Sequence, residues 1–152
     1  MNDRLKTIVD LEKYPIQNLN SPLIKDLIKK CKNDLDHYSC STIPKFILPE
    51  SLKIMNIELE KQISEVYMSK KSINAYLYSK DDPSLPPEHP KRIFMKRNNG
   101  YLNSNLFKKK SEMKFLYEQE ELLKFVSACL GISPIYRWAD PLACHAYNVM
   151  RP

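Results

Sequence analysis

Three histidines, four cysteines and a basic cluster between positions 92 and 97 are the groups in this chain best suited to chemistry. His37, His89 and His145 are joined by no HxD or ExxH spacing, so the local sequence does not assemble an iron-binding facial triad. Cys31, Cys40, Cys129 and Cys144 have irregular spacings and no CxxC, which indicates neither a disulfide framework nor a zinc ribbon. Reduced thiols are expected. Cys31, His37 and Cys40 are close in sequence, but their spacing is not a common zinc knuckle and no fourth ligand lies nearby. Arg92, Lys96 and Arg97 are of another kind. A guanidinium fork can hold a carboxylate through two parallel hydrogen bonds, whereas an ammonium offers a point charge. Asp140, just before Pro141, reads as a side chain that caps a turn.

The elements that must position these groups alternate helix, loop and strand. Asn20-Ser21-Pro22 offers an N-cap followed by proline in the first turn, and Leu23, Ile24, Leu27, Ile28, Cys31 and Leu35 then recur at helical steps. This predicts a helix ending near His37, where the imidazole would favour the negative end of the dipole. A short strand is expected around Phe46, between two prolines. Pro49 opens a second amphipathic helix, with Leu52, Met55, Leu59, Ile63 and Val66 carrying it to about Tyr67. From Ser69 to Asn99 the periodicity dissolves among prolines, so Arg92, Lys96 and Arg97 are expected on a long loop. Helical spacing returns through Ser111, Met113 and Leu116 and stops at Gly131. Ile135 to Trp138 reads as a strand, with Trp138 covering the seam between helix and sheet. Cys144 to Met150 reads as another, placing Cys144, Ala146 and Asn148 on one face and His145, Tyr147 and Val149 on the other. The fold class is α+β, in one domain over 1–152: a helical part at 1–68, a loop region at 69–102, helices at 103–131 and strands at 132–152.

With 43% hydrophobic and 28% charged residues, the composition is that of a globular chain rather than a disordered one. Charged residues interrupt every apolar run, and the first residues lack the basic and apolar segments of a secretory signal. No membrane partner and a cytoplasmic location are expected. The net charge of +6 is spread among carboxylates without interleaved stacking aromatics, so the reading is a solvated basic face and no nucleic-acid partner.

Four stretches stand in a particular order: Asp81 to Arg92 (DDPSLPPEHPKR), Leu116-Tyr117-Glu118, Leu122 to Gly131, and Arg137-Trp138-Ala139-Asp140-Pro141-Leu142 leading to Asn148-Val149-Met150. Together they resemble the BesD/HalD-type family of non-haem Fe(II), 2-oxoglutarate-dependent amino-acid halogenases and hydroxylases, from Tyr14-Pro15 to Pro152. The resemblance implies helices packed on the first strands of a double-stranded β-helix, or jelly roll. It also implies Fe(II) and 2-oxoglutarate as cofactors and a free amino acid or similar small molecule as substrate. A substrate-facing basic residue would lie near Arg97, or Lys96 if the register shifts, with Arg92, Cys144 and Asn148 as further candidates. In that family the iron motif follows soon after the strand matched by Cys144 to Met150. The resemblance therefore implies an N-terminal portion, binding neither cofactor and inactive alone, with its last strand unpaired. A jelly roll would need on the order of a hundred further residues. The alternative left open is a non-catalytic, small basic binding or interaction domain.

Overall fold

A computed structural model describes residues 3–150. Met1 and Asn2 at the start, and Arg151 and Pro152 at the end of the matched stretch, lie outside the described residues. Among the described residues the fold is mixed: five α-helices and one three-stranded antiparallel sheet. In chain order they are α1 (Leu5–Ile8), α2 (Pro22–Tyr38), α3 (Pro49–Glu60), β1 (Tyr67–Asn74), β2 (Phe94–Asn103), α4 (Glu112–Tyr117), α5 (Glu120–Leu130) and β3 (Ala146–Met150).

Capping chemistry sets the helix ends. The Ser21 hydroxyl accepts from the Ile24 amide at 3.3 Å at the start of α2, and the Ser111 hydroxyl does the same for Lys114 at 3.3 Å in α4. Helix α2 stops where Ser39 turns left-handed, and α5 stops at Gly131, whose φ of 68° suits a residue without a Cβ. Helix α3 ends at Glu60, short of the expected Tyr67. Of its apolar series only Met55 is buried, while Leu52 and Ile63 are exposed, so packing rewards no further turn.

The main core joins α1, α2, α3, α4 and α5. Leu5, Ile8, Val9, Ile16, Ile24, Cys31, Met55, Leu116, Phe125 and Cys129 form one buried cluster. The Ser51 hydroxyl, itself buried, donates to the Thr7 carbonyl at 2.8 Å and ties α3 to α1. The short strand expected around Phe46 is reduced to an isolated bridge between Val9 and Ile47.

Further expectations are corrected. The region 69–102 is not one long loop, because its two ends form β1 and β2, paired from Tyr67 opposite Tyr101 to Asn74 opposite Phe94. Only the turn and proline-rich stretch between them is irregular. Ile135 to Trp138 forms no strand and pairs with none of β1, β2 and β3. Instead the Arg137 guanidinium donates to the Glu118 carbonyl at 2.9 Å and to the Glu120 carboxylate, and the Trp138 amide donates to the Tyr117 hydroxyl at 2.9 Å. The Trp138 side chain is 68% exposed, so it covers no seam between helix and sheet.

Strand β3 is not unpaired. It lies antiparallel to β2 from Ala146 opposite Asn103 to Met150 opposite Asn99, making β2 the central strand. Ser104 secures the approach to β3, with its amide donating to the Leu142 carbonyl at 3.0 Å and its hydroxyl to the Pro141 carbonyl at 2.6 Å. The Asp140 carboxylate accepts from the Leu142 amide at 2.8 Å, the turn cap read from the sequence.

Candidate anion-binding site on the sheet

Residues directly opposite one another in an antiparallel pair share a face. On β1 and β2 this brings together Tyr67 with Tyr101, Ser69 with Asn99, Lys71 with Arg97, and Ile73 with Met95. Asn148 of β3 lies opposite Tyr101 and joins the same face. A shallow groove of about 470 Å³ runs along it, lined by Tyr67, Ser69, Lys71, Ile73, Leu77, Arg97, Asn99 and Tyr101. The Tyr67 and Tyr101 rings meet at 5.6 Å and close one end.

The other face of the sheet turns inward at its β3 end, while Lys70, Ser72 and Lys96 on it are exposed. Leu102 is fully buried and lies opposite Tyr147, whose ring is 4.9 Å from Phe107. His145 packs between Phe107 and Tyr117, each ring at 5.5 Å. Burial, with Glu58 and Glu112 nearby, pushes the Tyr147 phenol up to about 12, so it stays protonated. Burial also pulls the His145 imidazole below its usual value, helped by the Lys114 charge and opposed by Glu118.

The basic residues singled out by sequence are not brought to one place. Arg97 faces the groove, while Lys96, its neighbour on β2, points to the opposite face and faces Ser72 across the pair. Both are exposed. Arg92 uses its fork internally: it donates to Asp81 at 3.0 and 2.9 Å and to the Leu85 carbonyl at 3.0 Å, closing the loop between β1 and β2. The guanidinium holds the Asp81 carboxyl below the usual range. Asn148 is exposed on the groove side of β3. Cys144 precedes β3, half-buried, with its sulfur 3.4 Å from His145 Nδ1.

Lys71 is not among the site residues that the sequence suggests. Its type and immediate neighbours resemble any solvated lysine, and only the strand register sets it against Arg97. Among the described residues neither cation has an ion-pair partner. Like charges directly opposite destabilise a strand pair, so this rung favours an anion. A larger groove of about 580 Å³ between α2 and α5 is lined by apolar side chains with Lys32, Lys124 and Glu120, charges of both signs, and selects no ligand so clearly.

The histidines stay apart. The Nδ1 of His37 lies 2.8 Å from the Asn33 carbonyl, and that of His89 accepts from the Lys91 amide at 3.2 Å. Cys31 is buried in the core and Cys40 is exposed, so they share no site with His37. Among the described residues no group of three or more His, Cys, Asp or Glu side chains is placed to hold a metal ion. No helix among the described residues is long and apolar enough to cross a membrane. No family model and no curated protein matches the chain.

Proposed function

We propose that this chain is the N-terminal part of an Fe(II)- and 2-oxoglutarate-dependent oxygenase, a hydroxylase or halogenase acting on a free amino acid. In this reading the sheet belongs to a jelly roll and Arg97 receives the substrate carboxylate. The observation that carries it is the placement of Arg97, a guanidinium without an ion-pair partner among the described residues, in a groove beside Asn99 on an antiparallel sheet. The ordered stretches from Asp81 to Met150 supply the family. What the chain itself contributes is binding and orientation: the fork fixes the carboxylate by two parallel hydrogen bonds, and the Asn99 amide and Ser69 hydroxyl lie one rung away.

Backbone amide shifts of the ¹⁵N-labelled chain, followed during titration with a free amino acid, test the binding half. Saturable shifts at residues 97–101 are expected, abolished by Arg97→Gln. A response unaffected by that substitution overturns the role given to Arg97. For the oxygenase half, anaerobic addition of Fe(II) and 2-oxoglutarate to the full gene product should give a metal-to-ligand charge-transfer band. If that product gives none, the chain is better read as a non-catalytic basic binding domain.

A further inference from the structure

We infer that Lys71 and Arg97 together form a two-cation seat, and that the amino acid taken by this groove is a dicarboxylic one. The inference rests on the reading that Arg97 binds a substrate carboxylate. Directly opposed residues have their Cβ atoms roughly 5 Å apart, so the two charges are within reach of one small ligand. One carboxylate on Arg97 leaves Lys71 uncompensated; a second carboxylate on the same molecule neutralises it.

The lining of the groove narrows the choice further. It contains no Asp or Glu. A basic amino acid bound through its carboxylate would find no acceptor for its distal ammonium and would meet Lys71 instead. Ser69 and Asn99, on the adjacent rung, add a hydroxyl and an amide that can donate to carboxylate oxygens. Tyr67 and Tyr101 bound the groove on one side and Ile73 and Leu77 on the other, which limits the length of the ligand between them. Both cations are exposed, so preference for a dianion should weaken as salt rises.

The test compares L-glutamate, L-glutamine and L-lysine by the same amide titration on the full chain at low salt. Glutamine matches glutamate in shape and lacks only the second charge. Glutamate is expected to bind about fivefold tighter than glutamine, the value of one exposed charge-assisted contact, with lysine weakest. Lys71→Gln should equalise glutamate and glutamine, and Lys71→Arg should restore the preference. Amide spectra of each variant report whether the sheet remains folded. Equal affinities for the three amino acids, all lost in Arg97→Gln, would overturn the dicarboxylate inference and leave the carboxylate reading standing. Affinities independent of Arg97 would overturn both.

Discussion

Replacing His145 with phenylalanine should make the protein less sensitive to acid. The imidazole is 8% exposed, packed against Phe107 and Tyr117, with Nε2 buried and no hydrogen-bond partner. Protonating it there would place a charge in an apolar cage beside Lys114, which is why its pKa is lowered from 6.5. The unfolded chain binds this proton more readily than the folded one. The stabilisation from a neutral His145 is therefore complete above the unfolded pKa and is lost as pH falls below it toward the folded pKa. The maximum slope for one such proton is about 1.4 kcal/mol per pH unit. His145→Phe removes this term and the unpartnered nitrogen while keeping a flat ring. It should raise stability by roughly 1 kcal/mol near neutral pH, the lower end of the cost of an unsatisfied buried polar atom, and by more at pH 5. Urea unfolding of both proteins at half-unit intervals from pH 5 to 8 isolates the effect, because every other group is common to both proteins and cancels. Curves of stability against pH that stay parallel would show that His145 is not the buried, proton-refusing group described here.

Other consequences follow from single contacts. A Cβ at Gly100 would clash with Val66 Cγ1 and lie 2.5 Å from Met68 Sδ, so Gly100→Ala should destabilise by roughly 1–3 kcal/mol, read as a lower urea midpoint. An unchanged midpoint would mean that β1 yields freely. Arg92→Lys keeps the charge but loses the fork that binds Asp81 and Leu85, so limited proteolysis should cut faster between residues 75 and 93 with amino-acid binding unaltered. Weakened binding would instead place Arg92 at the ligand.

Helices were legible where two independent signals agreed. Ser21-Pro22 and the stripe through Cys31 fixed α2, and Gly131 closed α5. Strands β1 and β2 were not legible, because Tyr-Met-Ser-Lys-Lys-Ser-Ile-Asn and Phe-Met-Lys-Arg-Asn-Asn-Gly-Tyr-Leu-Asn carry no clean apolar-polar alternation. Their groove face is solvent-exposed at Tyr67, Met95 and Tyr101, and burial of one face is what normally writes that pattern. The opposite error at Ile135 to Trp138 has the same root. Strand propensity describes how a residue fits a pleated surface, and this segment has no neighbouring strand to provide one. The N-terminal core residues Leu5, Ile8, Val9 and Ile16 escaped notice because α1 is a single turn, too short to show a period.

The candidate site divides along the same line. Residue types pointed to Arg97 and Asn148, but which side each faces is a property of register, and a slip of one residue exchanges the faces of a strand. Gly100 provides a physical reason for the register observed. It sits opposite Met68, where a Cβ would run into the side chains of Val66 and Met68, so a residue with a Cβ could not take that position without displacing them. Shifting β2 by one residue would bring Asn99 or Tyr101 there and set Lys71 against Lys96 or Asn98. The glycine thus holds Arg97 opposite Lys71 from three residues away, which ties the charge of the groove to a packing constraint on the other face of the sheet.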